Sequence, residues 1–330
     1  ARWKGGMKPI CQKIQVAPMM DWTDRHCRYF MRLLSPSAFL YTEMVTAAAI
    51  HHGDYAALLE FDAAEHPVAL QVGGSDPALM AEAARRGREF GYDEININVG
   101  CPSDRVQSGQ FGACLMARPE VVAECLRAMQ AETDVPVTVK TRIGIDDEDS
   151  YTFLRHFVGV LARAGCRKFI VHARVAILEG LSPKENRSVP PLKYEHVFRL
   201  KNDLPELDIV LNGGITTVGQ VDEALSRVDG VMFGRQAYHD PYFLAILEQH
   251  INPGWRPPDR HNVVADMLPY IDKELARGER LGRITRHMLG LFAGQPGARA
   301  WRRYISENAF RDGAGPDVLI DALDKMPAAA

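Results

Sequence analysis

Cys101 lies in the run Asn98-Val99-Gly100-Cys101-Pro102-Ser103, where Gly100 and Pro102 bend the chain and present the thiol. A thiol with a pKa near 8.5 is mostly protonated at neutral pH and can give a proton to a carbanion-like centre. The same residue could act as a nucleophile, or lie buried and inert. Gln71, Lys140 and His172 are the other reactive or polar types that punctuate apolar runs. A cation such as Lys140, with His172 beside it, would stabilise the anion of a reduced flavin ring. The plainer alternatives are an internal Lys140–Glu43 ion pair and a hydrogen-bonded core His172. Asn212-Gly213-Gly214 and Gly234-Arg235 form two glycine-containing loops with a guanidinium, a pair suited to a phosphate. Flavin mononucleotide (FMN) fits such a site, although glycines can also simply turn loops.

These residues need elements to hold them. Short β-branched runs at Ile14–Met19, Phe39–Val45, Val68–Val72, Glu94–Val99, Pro136–Thr141, Lys168–Ala173, Asp208–Asn212 and Gly230–Phe233 read as strands. They are short and unalternating, as in parallel strands covered on both faces. Amphipathic stretches such as Pro77–Phe90, Pro119–Thr133, Tyr151–Ala164 and Thr217–Ser226 separate them. Ser75-Asp76-Pro77 supplies a helix start, and Gly91 and Gly165 supply stops. Eight strands alternating with helices predict a (β/α)8 TIM barrel, whose chemistry gathers at the C-terminal strand ends. A doubly wound sheet is the rival, but no G-x-G-x-x-G follows the first strand. The proline-rich segment 252–258 breaks the pattern, and the remainder reads as helical. The expected domains are a catalytic barrel over 1–250 and a small all-helical domain over 260–330.

Composition narrows the class. With 46% hydrophobic and 25% charged residues, the chain has the makeup of an ordinary globular protein. No apolar run approaches the roughly 20 residues of a membrane span, and the charged start is not followed by a signal-peptide core. A cytoplasmic address is expected. Six cysteines without C-x-x-C spacing argue against a disulfide framework and against zinc or iron–sulfur ligation, so no metal is expected. Net charge is −3, yet Arg277, Arg280, Arg283, Arg286, Arg299, Arg302 and Arg303 crowd one stretch against Glu279 alone. That local excess is the footprint of a phosphate backbone. The first four recur every three residues, as a stripe along a helix.

In combination, these segments resemble the tRNA-dihydrouridine synthases. The resemblance is carried by Ala17-Pro18-Met19-Met20-Asp21-Trp22-Thr23-Asp24, the Asn98–Ser103 run, Val139-Lys140-Thr141-Arg142, Val171-His172-Ala173-Arg174, Asn212-Gly213-Gly214 and Phe233-Gly234-Arg235. The segments 180–187, 286–292 and 296–303 are similar to the DusA type within that family. The resemblance implies an FMN barrel, a helical tRNA-binding domain, and reduction of the uracil C5–C6 bond at positions 20 and 20a of the D-loop. NADPH is the implied reductant, with NADH possible, and Cys101 becomes the acid that protonates C5. FMN contacts carry over to Ala17, Pro18, Met19, Gln71, Lys140, His172, Asn212, Gly213, Gly214, Gly234 and Arg235. tRNA contacts carry over to Asn98, Lys184, Arg187, Arg299, Arg302 and Arg303. The partner is tRNA, and a monomer with no protein or membrane partner is expected. Arg174-Val175-Ala176-Ile177-Leu178 is more apolar than the resemblance leads one to expect. A small-molecule flavin reductase and a non-catalytic tRNA-binding scaffold are the rival readings. The first leaves the arginine tail without purpose, and the second leaves Cys101, Lys140 and His172 unexplained.

Overall fold

The computed structural model describes residues 10–103, 106 and 109–326. The charged start, the side chain of Cys11 and the alanine-rich end lie outside those residues. Eight parallel strands run in the order β1-β8-β7-β6-β5-β4-β3-β2. They are β1 Ile14–Val16, β2 Leu40–Thr46, β3 Val68–Gly73, β4 Glu94–Val99, β5 Val137–Arg142, β6 Lys168–His172, β7 Asp208–Asn212 and β8 Gly230–Phe233. A bridge between Gln15 and Phe39 joins β1 to β2, with Val16 donating to the Phe39 carbonyl at 2.9 Å, so the sheet closes into the expected TIM barrel. β1 is shorter than the predicted Ile14–Met19. Ala17 still donates to the Phe233 carbonyl at 2.7 Å, but Pro18 has no N–H to continue the ladder.

Helices connect successive strands, and their ends follow local chemistry. Asp76 accepts from the N–H groups of Ala78 and Leu79, Pro77 occupies the first turn, and Gly91 at φ 88° ends the helix Pro77–Phe90. Within that helix, a Cβ on Gly87 would lie 2.4 Å from Ile95 and 3.0 Å from Leu70, so glycine lets the helix lie close against β3 and β4. Ile95 and Leu70 therefore face outward. The inward set alternates with them, and Ala17, Phe39, Tyr41, Ala69, Ile170, Val210 and Met232 pack as one buried cluster. β4 departs from the unalternating expectation. Its sequence Glu-Ile-Asn-Ile-Asn-Val switches strictly, apolar toward the helices and polar toward the barrel interior.

The chain forms two compact units, one of residues 1–20 with 39–234 and the other of 21–38 with 235–330. This division differs from 1–250 and 260–330, because the proline-rich segment is a connection inside the second unit. That unit is helical. Arg25–Leu34 turns Cys27, Phe30, Met31 and Leu34 inward, and Tyr29 stacks on Tyr270 of the helix Arg260–Ala276 with centroids 3.9 Å apart. His26 Nδ1 is 2.7 Å from the Tyr270 hydroxyl, and Ser35 donates to the buried Glu248 carboxylate at 2.6 Å. Burial alone would raise the Asp24 pKa, but His287 and Arg286 hold it well below the usual carboxylate range. Among the described residues no helix is long and apolar enough to cross a membrane. The cysteines at 27, 101, 114, 125 and 166 are free, and burial pushes Cys125 and Cys166 up to about 12.

Candidate active site

The strand ends of the first unit bring most of the predicted residues together. Asn98 on β4 stands opposite Lys140 on β5 in the ladder, Arg142 opposite His172 on β6, and His172 opposite Asn212 on β7. Gln71 on β3 accepts from Asn98 Nδ2 at 2.9 Å. Asn98 Oδ1 in turn accepts from the backbone N–H groups of Gly100 at 3.1 Å and Cys101 at 3.0 Å. The Cys101 loop is thereby tied to its own strand. The Cys101 carbonyl also accepts from the Ala113 N–H at 2.9 Å, its thiol lies 3.4 Å from the Ser103 hydroxyl, and the side chain remains half-buried.

Lys140 is half-buried and, among the described residues, carries no hydrogen bond or ion pair. The Glu43 pairing that the sequence allowed is not formed among the described residues. Burial, helped by the like charge of Arg142, pulls the ammonium down to about 7, with Cys101 opposing the shift. An uncompensated buried amine raises stability only when something else supplies the negative charge. Gly213 and Gly214 adopt φ of 118° and 71°, and a Cβ on Gly213 would lie 2.7 Å from the His172 ring. The glycines let the backbone pass close against His172, where a side chain would not fit. A Cβ on Gly234 would meet Met19 and Ala17 only at ordinary contact distance, while Arg235 begins the second unit. These features fit FMN: a phosphate against the glycine pair, and a ring that can take negative charge beside Lys140.

Arg142 was quoted in the sequence only as part of a motif. Its side chain is buried, donating to the carbonyls of Gly100 at 3.1 Å and Asn186 at 2.7 Å. It therefore joins the Cys101 loop to the loop that follows β6. Asn186 organises that second loop by exchanging hydrogen bonds with the Ile177 backbone, accepting at 2.8 Å and donating at 2.9 Å. The apolar run after Arg174 now has a reason, since Val175 and Ala176 are buried beneath the loop. Lys184 and Arg187 stand exposed upon it.

In the second unit Arg299, Arg302 and Arg303 share the exposed face of the helix Ala298–Asn308, opposite buried Trp301 and Ile305. The other arginines do not form the predicted stripe. The helix Arg260–Ala276 ends before Arg277, and Arg280 is the N-cap of Leu281–Thr285. Nor are they without acidic partners: Arg277 pairs with Glu274 at 3.3 Å, Arg283 with Glu279 at 3.6 Å and Arg286 with Asp24 at 2.8 Å. Counting charges along 277–303 missed Glu274 just upstream and Asp24, which is distant in sequence.

Fold and site together define a barrel of the flavin-oxidoreductase kind of architecture, with a close-packed glycine pair after β7 and a half-buried thiol after β4. Residues 15–326 match the family model described as dihydrouridine synthase (Dus), and the chain belongs to that family. Its relatives include proteins named tRNA-dihydrouridine(20/20a) synthase. The one from Vibrio cholerae is 56% identical over 320 residues, 96% of this chain and 97% of that protein. The one from Escherichia coli strain K12 is 56% identical over 315 residues, 94% and 90% of the two chains. Among solved structures, morphinone reductase superposes with a TM-score of 0.50 at 12% identity, over 75% of this chain and 87% of that one, a likeness of fold.

Proposed function

We propose that this enzyme reduces the C5–C6 double bond of uridine to 5,6-dihydrouridine at positions 20 and 20a of the tRNA D-loop, using FMN reduced by NADPH, as a cytoplasmic monomer. The names of its relatives support the substrate. The observation that carries the chemistry is the shared rim on which Asn98, opposite Lys140, fixes the Cys101 N–H, while the Lys140 ammonium has no counter-charge among the described residues. FMN would be held by Ala17, Pro18 and Met19 after β1, by Gln71, Lys140 and His172, and by Asn212, Gly213, Gly214, Gly234 and Arg235. Bound there, it would supply the hydride to uracil C6.

The remaining work belongs to the chain. Cys101 Sγ–H breaks as the C5–H bond forms, and the thiolate left behind lies within electrostatic reach of Lys140 and Arg142. Asn98, Lys184 and Arg187 orient the target nucleotide, which must first leave its stack at a cost of a few kcal/mol. The barrel is thus the FMN domain, and the helical unit carries tRNA through Arg299, Arg302 and Arg303. An anaerobic visible spectrum tests the whole assignment. The protein should be yellow, bleach with NADPH, and regain colour with tRNA lacking dihydrouridine. A protein that bleaches but ignores tRNA is a small-molecule reductase, and one that takes up no FMN is not a flavoenzyme.

The arginine face gives a separate expectation. Reversing Arg302 and Arg303 to glutamate should raise the tRNA KM about tenfold or more and flatten its salt dependence by roughly two contacts' worth. Bleaching by NADPH should be untouched. The Arg303–Glu307 pair at 2.9 Å does not oppose this, since an exposed pair is easily exchanged for phosphate. An unchanged KM would remove that face from the interface.

A further inference from the structure

The inward residues of β4 belong to a longer line of side chains. Lys168 Nζ lies 2.8 Å from Glu94 Oε2, and the Tyr41 and Thr138 hydroxyls lie 2.8 and 2.6 Å from Glu94 Oε1. Asn96 Nδ2 donates to Thr138 Oγ1 at 2.8 Å, and Gln71 Nε2 donates to Asn96 Oδ1 at 2.8 Å. Asn98 Nδ2 then donates to Gln71 Oε1 at 2.9 Å, and the line ends where the Gly100 and Cys101 N–H groups meet Asn98 Oδ1. Glu94, Asn96, Thr138 and Gln71 are each at most 2% exposed, so solvent cannot replace a lost partner.

The line runs in one direction only. Glu94, paired with Lys168, is a carboxylate that accepts and cannot donate. The Thr138 proton therefore goes to Glu94, leaving its lone pairs to Asn96. Asn96 must turn its amide nitrogen to Thr138 and its oxygen to Gln71. Gln71 must do likewise toward Asn98, and Asn98 toward the loop. The other end demands the same sense, because backbone N–H groups can only donate. Flipping any one amide sets donor against donor on one side and acceptor against acceptor on the other. Each buried mismatch leaves a donor or acceptor that no water can satisfy.

We propose that Thr138 and Glu94 are positioning residues. From inside the barrel they close the end of the line opposite the Gly100 and Cys101 N–H groups, which hold the Asn98 and Gln71 amides in the same sense, and so steady the Cys101 loop where its thiol can deliver a proton. The proposal rests on the reaction described above, which gives that proton a destination. Thr138→Val keeps the shape and removes the hydroxyl, stranding Asn96 Nδ2. Thr138→Ser restores it.

In the flavin-loaded enzyme, Thr138→Val should bleach with NADPH within about threefold of the parent rate. Its reoxidation by tRNA lacking dihydrouridine should slow ~10–100-fold through kcat, with KM within about threefold, as a misplaced acid does. Thr138→Ser should return to within about threefold of the parent. A role in packing alone would lower the yield of folded enzyme without this split. Labelling of Cys101 by iodoacetamide, followed on its own peptide, is a readout independent of tRNA. It should change severalfold in Thr138→Val and not in Thr138→Ser. If the parent itself ignores tRNA, the proposed reaction fails while the labelling still tests the line. Should the valine variant not fold, Thr138→Cys, with a weak donor, should fall between parent and the predicted valine rates. Parent-like reoxidation and labelling in Thr138→Val, or in Thr138→Cys if that is the variant that folds, would overturn the proposal. So would a serine variant as slow as valine.

Discussion

Cys101→Ala should yield a yellow protein that bleaches normally with NADPH yet is reoxidised by tRNA about 10²–10⁴-fold more slowly, the usual worth of a positioned general acid. The separation follows from the site. The thiol lies against Ser103 in its own loop, whereas Lys140, His172 and the glycine pair lie on and after other strands. The loss should appear in kcat, since a group that acts only as the new C–H bond forms contributes little to ground-state binding. Stopped-flow absorbance of the pre-reduced enzyme mixed with tRNA measures it. Equal slowing of bleaching and reoxidation would place Cys101 in flavin binding, and no slowing would remove it from the reaction.

Lys140→Met should separate stability from binding. Burial lowers the ammonium from 10.5 to about 7, so between those values the folded, ligand-free chain binds fewer protons than the unfolded one. From this group, stability therefore rises with pH through that window and falls as pH drops toward about 7. Methionine removes the penalty, so the ligand-free variant should unfold a few degrees higher at pH 7. FMN affinity should move the other way, falling on the order of 10²-fold or more when the buried partner of an anionic group is lost. In the parent, affinity should fall about tenfold per pH unit above pH ~7, because in the complex Lys140 keeps the proton that it gives up in the ligand-free protein. In Lys140→Met that dependence should flatten. Fluorescence titration of the ligand-free proteins with FMN, together with calorimetric melting, reads both. A variant that melts lower and binds FMN as tightly as the parent would show that Lys140 is a structural cation.

The legible part of the site was the part at strand ends. Asn98, Cys101, Lys140 and Gly213 could be found because each interrupts an apolar run just where a barrel strand must stop. Glu94, Asn96, Thr138 and Lys168 escaped because polar residues inside a strand resemble noise in an apolar window. The signal was the strict alternation of β4, which only matters once the barrel closes around it. Arg286 misled for the opposite reason. Its carboxylate partner, Asp24, follows β1, and no count over neighbouring residues can reach it. Several strand limits shifted by one residue, and the largest shift, three residues at the end of β1, comes where Pro18 ends the ladder.

The excursion of residues 21–38 out of the barrel sets a timetable for the ribosome. Helix Arg25–Leu34 is among the first pieces made, yet Glu248, Tyr270 and His287, which receive its neighbourhood, emerge more than two hundred residues later. At bacterial-like elongation speeds of about 5–20 residues per second, its apolar face waits on the order of 10–50 s for cover. All eight barrel strands are complete before then, so the early helix stays uncovered while the whole barrel is made. For the same reason, a stop after residue 234 would not release a clean barrel. It would release one trailing Cys27, Phe30, Met31 and Leu34 uncovered, an aggregation hazard built into the order of synthesis.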